Sequence, residues 1–303
     1  QPLLPFESCV LGSINLTRML IPEDGSYKIN WKKLSDTIKL GVHFLDNIID
    51  MNKYPLIDIA EITKRNRKIG LGVMGFADML IMMGVPYNST DALNIADKLM
   101  IIFSKEADFA SAKLAEKRGV FPNFEESELN KPGSLKMRNA TRTTIAPTGT
   151  LSIIANCSCG IEPVFALSYI HHILGDKNIS GLHPLFEEVA KERGFYTPAL
   201  VKEIETKGTI KDIKGIPEDI KQIFVTARDI SPEWHIRIQA AFQKHVDNAV
   251  SKTINFPKDT TKEDVERAFL LAYESGCKGI TVYRDKSRMS QSLSIECICE
   301  EVL

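Results

Sequence analysis

Hydrophobic positions recur along this chain in alternating strand-like and helix-like rhythms. Leu11 to Leu16 is a short apolar run that predicts a strand, and Leu34 to Met51 carries Ile38, Val42, Leu45 and Ile49 at the spacing of one buried helix face. The order then repeats. Lys68-Ile69-Gly70-Leu71-Gly72 predicts a glycine-punctuated buried strand, and Met74 to Met83 a helix stopped by Gly84. Ser89-Thr90-Asp91 is a helix start, after which Leu93, Ala96, Met100, Phe103, Ala107, Ala110 and Leu114 hold helical spacing as far as Gly119. Arg142 to Ala146 predicts a strand entering the turn Pro147-Thr148-Gly149-Thr150, with Leu151 to Ala155 opening a helix. Ser231-Pro232 caps a helix through Trp234, Ile238, Ala241 and Phe242 to about Asn248. Ser251 to Phe256 (strand), a helix capped by Thr261 and Asp264 and ended by Gly276, and Gly279 to Arg284 (strand) form a unit of about 30 residues, the size of a parallel crossover.

Alternating strands and helices predict an α/β fold whose sheet is parallel or mostly parallel, with ligands at the carboxyl ends of the strands. The stretch from about Tyr169 to Thr226, with Gly208, Gly215, Pro217 and a charged helix from Pro184 to Arg193, fits this rhythm less well and reads as an excursion from the main body. The expected division is therefore residues 1–290 as one body with an excursion at about 169–226, and residues 291–303 as a tail.

At 303 residues, 44% hydrophobic and 25% charged, the chain matches an ordinary globular enzyme and has no low-complexity tract. A net charge of −1 argues against a broad cationic face for nucleic acid. Its most apolar runs, such as Leu99 to Phe103, are too short to span a bilayer, and no signal peptide is visible, so the cytoplasm is the expected compartment and no membrane partner is expected. The chain begins Gln1-Pro2-Leu3-Leu4-Pro5 and reads as a piece of a longer polypeptide. Six cysteines (Cys9, Cys157, Cys159, Cys277, Cys297 and Cys299) are too sparse for a disulfide scaffold and fit a reducing compartment.

Candidate chemistry concentrates at Thr143-Thr144-Ile145-Ala146-Pro147-Thr148-Gly149-Thr150-Leu151-Ser152. A small-residue turn from strand to helix turns backbone N–H groups and hydroxyls outward, which suits phosphate oxygens, although the same pattern serves an ordinary capped turn. It lacks the lysine of a Walker A loop. Cys9 reads either as a buried small hydrophobe or as a redox thiol, with no nearby histidine or lysine to activate it. Cys157-Ser158-Cys159 and Cys297-Ile298-Cys299 have spacing better suited to an exchangeable dithiol than to structural zinc, and the second pair reads as a thiol-exchange tail or a chance terminal pair. His171 and His172 are adjacent and diverge, while His235 and His245 lie almost three helical turns apart, so no metal site is expected. The glycines at 70, 72 and 75 fit GxGxxG, yet no acidic residue follows in a second strand as a dinucleotide site requires.

Four segments taken together resemble the adenosylcobalamin-dependent (class II) ribonucleotide reductases. They are Gln1 to Leu16, Arg67 to Asp78, Arg142 to Pro163, and Ala249 to Pro257 coupled with Gly276 to Asp285. The resemblance implies the second half of a ten-stranded α/β barrel that begins inside the family's finger loop. The family's finger-loop motif Asn-Pro-Cys-Gly-Glu, with the thiyl cysteine, is expected immediately before Gln1. Cys9 would be one thiol of the redox pair that becomes a disulfide as the ribose is reduced, its partner lying in the missing N-terminal half. Pro147, Thr148, Gly149, Thr150 and Leu151 would hold the substrate phosphates. The implied cofactor of the intact enzyme is adenosylcobalamin, and the implied partners are a ribonucleoside di- or triphosphate, a thioredoxin-type reductant and a second copy in a homodimer. By itself the chain is expected to be inactive. Two departures stand out: Cys157 and Cys159 replace the family's usual small residues, and where the family's tail usually carries a CxxC this chain has the CxC of Cys297 and Cys299. The rival readings are an iron-dependent class I large chain and a noncatalytic nucleotide-binding subunit.

Overall fold

A computed structural model describes residues 2–23, 25–173, 177–285, 287 and 293–294. Its strands are β1 (Val10–Asn15), β2 (Leu20–Glu23), β3 (Ser26–Ile29), β4 (Ile69–Met74), β5 (Ser168–Ile173), β6 (Lys177–Leu182), β7 (Thr253–Phe256), β8 (Thr281–Arg284) and the short β9 (Leu293–Ser294). The helices are α1 (Trp31–Met51), α2 (Ile57–Asn66), α3 (Phe76–Met82), α4 (Thr90–Arg118), α5 (Gly149–Ala155), α6 (Pro184–Glu192), α7 (Pro198–Lys207), α8 (Glu218–Ile223), α9 (Pro232–Gln243) and α10 (Lys262–Glu274).

The expected parallel arrangement is present. β1 pairs in parallel with β4, Val10 opposite Ile69 and Asn15 opposite Met74, and β7 pairs in parallel with β8. Between these pairs runs the segment 141–146, joined in parallel to β4 at Leu71–Thr143 and to the chain before β7 at Ile145–Val250. Five parallel segments thus lie side by side in chain order. Among the described residues, antiparallel pairing is confined to the β2–β3 hairpin and to β5 with β6 and β9.

Arg142 to Ala146 was expected as a regular strand, and it forms only isolated bridges. Side chains occupy part of its ladder: the Asp247 carboxylate accepts from Arg142 N and Thr143 N, and Thr144 Oγ1 donates to Ala249 O. The neighbouring strand must also come close. A Cβ on Gly72 would sit 1.9 Å from Thr144 O, which explains a glycine there without any dinucleotide.

Several boundaries moved for local reasons. Met74 ends β4 instead of starting a helix, because Gly75 adopts φ 76° and turns the chain into α3. Leu16 begins a 3-10 turn organised by Asn15, whose side chain accepts from Thr17 N. α9 stops at Gln243, whose amide donates to Asn248 O in the turn that follows. The capping box of Thr261 and Asp264 formed as expected. The hairpin β2–β3 and helices α2, α7 and α8 had not been anticipated.

The main core lies between the parallel segments and their helices. Ile38, Val42, Leu45 and Ile49 of α1 are buried against β1, β4 and α4, where Ala96, Met100, Phe103 and Ala107 are buried in turn. Each large side chain contributes about 1.5–3 kcal/mol of burial. A second cluster of Ile236, Ile254, Phe256, Ala268 and Ala272 seats α10 on β7. Among the described residues, no helix is long and apolar enough to cross a membrane.

Candidate functional site

The third parallel segment delivers Pro147 to the carboxyl end of the sheet, where Thr148 takes φ 57°, ψ 26° and α5 begins at Gly149. A β-branched residue in the left-handed region is strained and needs support from its surroundings. Thr148 Oγ1 does not cap its own helix. It accepts from Gly160 N at 2.7 Å, while Ser152 N takes up Thr148 O at 2.8 Å. The amides of Gly149, Thr150 and Leu151, in the first turn of α5, have no acceptor among the described residues, and the threonine hydroxyl does not cap any of them. Leu151 is exposed, and a Cβ on Gly149 would meet nothing within 4 Å, so the turn faces open space. Outward amides and hydroxyls at a helix start form an anion cradle.

Behind the turn, the chain from Asn156 to Glu162 folds back against α3. Ser158 caps that helix: Gly75 N donates to Ser158 O, Asp78 N to Ser158 Oγ, and Ser158 N to Asp78 Oδ2. Cys157 and Cys159 flank this contact and point to different neighbours. The Cβ of Cys157 lies beside Gly75, whereas Cys159 Sγ is 3.0 Å from Ser152 Oγ. Burial, with Asp78 nearby, pushes the Cys157 thiol up to about 12, and burial also raises Cys159. Both therefore stay protonated near neutrality. No group of three or more His, Cys, Asp or Glu side chains able to hold a metal assembles among the described residues.

Cys9 immediately precedes β1 and is half-buried. Its approach is anchored by Glu7, which accepts from Asn66 Nδ2 (2.6 Å), Lys68 Nζ (2.8 Å) and Leu4 N (2.8 Å), and by Ser8, whose hydroxyl meets that of Thr63. The register places Cys9 at the amino end of the sheet and the Pro147 to Leu151 turn at its carboxyl end. Cys297 and Cys299 lie outside the described residues, as do the side chains of His171 and His172. Cys277 is half-buried beside α10, its thiol pushed up by burial to about 11.

One cluster was missed from the sequence. Lys252 is fully buried, its Nζ 2.6 Å from Glu162 Oε2, 2.7 Å from His235 Nδ1 and 2.6 Å from Thr253 O. His235, also buried, turns Nε2 to Ala227 O at 3.1 Å. Burial foremost, then Lys252, pushes that imidazole down to about 3, so it is neutral and accepts from Lys252 Nζ; burial also lowers the lysine, and Glu162 beside it opposes that shift and favours the ammonium. A lysine within the expected strand Ser251 to Phe256 reads as an outward charge, and nothing in the local pattern marks Glu162, in the segment Arg142 to Pro163, as its partner.

Comparison with known proteins accords with this architecture. A family profile described as "Ribonucleotide reductase, barrel domain" matches residues 3–283. The chain is 51% identical over 294 residues to a vitamin B12-dependent ribonucleoside-diphosphate reductase of Thermoplasma acidophilum, covering 97% of this chain and 38% of that protein. It is 44% identical to the protein of the same name from Mycobacterium tuberculosis, covering 97% of this chain and 41% of the relative. The chain thus spans about two fifths of these relatives' length. The solved alpha subunit of a class Id ribonucleotide reductase from Actinobacillus ureae shares the fold, with a TM-score of 0.75 at 23% identity over 92% of this chain and 50% of that one. With the parallel segments, the profile match and these identities in agreement, the chain belongs to the ribonucleotide reductase barrel-domain family.

Proposed function

We propose that this chain supplies the substrate-phosphate loop and one redox thiol to the catalytic barrel of an adenosylcobalamin-dependent ribonucleotide reductase. The carrying observation is the turn at Thr148, where the amides of Gly149, Thr150 and Leu151 stay open at the carboxyl end of the sheet and the threonine hydroxyl is engaged by Gly160 N instead of capping one of them. Pro147 to Leu151 would hold the phosphates of a ribonucleoside di- or triphosphate, the relatives' names favouring the diphosphate. In the reduction, the ribose 2′ hydroxyl leaves as water while two thiols give up two electrons and close a disulfide. Cys9 is one of those thiols. Its partner and the radical-bearing cysteine belong to the N-terminal half of the same enzyme, and a thioredoxin-type dithiol would reopen the disulfide, with Cys297 and Cys299 as the relay. Residues 1–290 act as one barrel half with the 169–226 stretch as an excursion and 291–303 as the tail; the intact enzyme is a cytoplasmic homodimer.

The outward amides and hydroxyls of the Pro147 to Leu151 turn suit an anion, and this short polar turn does not form a cradle for a corrin. Adenosylcobalamin therefore belongs to the intact enzyme, where it would supply radical initiation. This chain's part is to bind the phosphates and deliver electrons.

The test is Cys9→Ser in the full-length enzyme, assayed with adenosylcobalamin and a small dithiol. Multiple turnover should be lost and nucleotide binding kept. Undiminished turnover would favour a noncatalytic role for this half, and turnover without cobalamin would favour the class I reading. The 303-residue chain by itself should bind phosphate weakly and reduce no nucleotide.

A further inference from the structure

Thr148 is held in an unfavourable conformation by a contact that begins more than 100 residues away in sequence. We propose that Lys252 is a positioning residue for the Pro147–Leu151 loop, fixing Thr148 in its left-handed turn by way of Glu162 and Gly160. The inference rests on the reading of that loop as the phosphate site and adds the device that keeps it open.

An ammonium has three N–H donors, and Lys252 finds three acceptors: Glu162 Oε2, His235 Nδ1 and Thr253 O, all within 2.7 Å. Lys252 is thereby held upright between α9, the start of β7 and the chain behind the loop. Glu162 is fixed twice over, since its second oxygen accepts from Thr253 N at 2.7 Å. Glu162 N in turn donates to Cys159 O at 2.9 Å, closing a tight turn around Gly160. On either side, Tyr87 donates its hydroxyl to Ile161 O and Phe76 N donates to Gly160 O. Gly160 is pressed so close to the loop that a Cβ would lie 3.0 Å from Ala146 O, and it is Gly160 N that Thr148 Oγ1 accepts.

This link has a defined role. If Thr148 lost Gly160, its hydroxyl could turn back and cap α5, as threonine ordinarily does at a helix start. The amides of Gly149 to Leu151 would then be partly satisfied from within, and the strain at Thr148 would relax by moving the turn. A buried charge that loses a partner is left without compensation for its desolvation, so the clamp resists drift far better than a surface ion pair would.

The experiment uses the full-length enzyme carrying Lys252→Met and, separately, the isosteric Glu162→Gln, whose single acceptor oxygen can keep only one of the two contacts, to Lys252 Nζ or to Thr253 N. Equilibrium affinity for a ribonucleoside diphosphate should fall about tenfold in each, with KM rising in step and kcat changing less than about threefold. Thr148→Val should weaken binding in the wild-type background, yet add less than about twofold to Lys252→Met, because both remove the same link. If Lys252→Met does not accumulate folded, Glu162→Gln and its cycle with Thr148→Val carry the test. Unchanged affinity in a folded variant, or fully additive losses in the cycle, would overturn the inference while leaving the loop assignment intact. Wild-type enzyme that binds neither a ribonucleoside diphosphate nor a triphosphate would overturn the loop assignment itself, and the positioning role with it.

Discussion

Cys157 and Cys277 are thiols whose burial opposes ionisation, to about 12 and about 11 against an ordinary 9.0. At pH 8 their thiolate fraction is on the order of 10⁻⁴ to 10⁻³, too small for ready nucleophilic attack. Alkylation of the native full-length protein at pH 8, followed by peptide mass spectrometry, should modify both at least about tenfold more slowly than in urea. Equal rates would mean that the thiols are not shielded. The same shifts set a pH dependence with a definite sign. Below pH 9 both states keep the protons and the thiols leave stability flat; above it the unfolded chain ionises first and stability falls until the folded values are passed. From the sequence, the pair at Cys157 and Cys159 suggested an exchangeable dithiol. The structure sends the two side chains to different neighbours, beside Gly75 and Ser152, because Ser158 between them is committed to capping α3.

Among the elements, the contact between β4 and the 141–146 segment is the most exacting. Gly72→Ala would place a methyl group against Thr144 O, an approach no rotamer can relieve because the backbone fixes the Cβ position and Thr144 O is itself a backbone atom. A loss of about 1–3 kcal/mol or more is expected from such overpacking, measurable as a lower urea midpoint of the full-length protein. A neutral Gly72→Ala would show that the two segments are less closely packed than described. Helices α1, α4 and α10 were legible in advance because their information is local: Ser89 accepts from Ala92 N, Thr261 from Asp264 N, and apolar residues recur on one face. The 141–146 segment was less legible. Its composition says strand, but its ladder is taken over by Asp247, a carboxylate 105 residues away from Arg142.

Across the whole molecule, buried charges tie distant parts of the chain together. Asp46, fully buried on α1, receives Arg67, Arg118, Arg138 and Asn139, joining four separate stretches. His235 and Lys252 do the same behind the loop. Because folded His235 is held down to about 3 against an ordinary 6.5, the unfolded state binds a proton first as pH falls. Its contribution to stability is complete above pH 6.5 and drains away toward pH 3, at up to about 1.4 kcal/mol per pH unit. His235→Gln, which can still accept from Lys252 and donate to Ala227 O, should flatten this part of the acid dependence in urea titrations between pH 7 and pH 4.5. An unchanged slope would assign the acid sensitivity to other groups. The sequence by itself determined the α/β rhythm, the caps, the family and the loop between strand and helix, since each depends on neighbours a few residues apart. Only the tertiary structure decided that Thr148 turns away from its own helix, that Lys252 points inward and that His235 is neutral. Those outcomes depend on which donors and acceptors meet across 12 to 90 residues of chain, and no periodicity records that meeting.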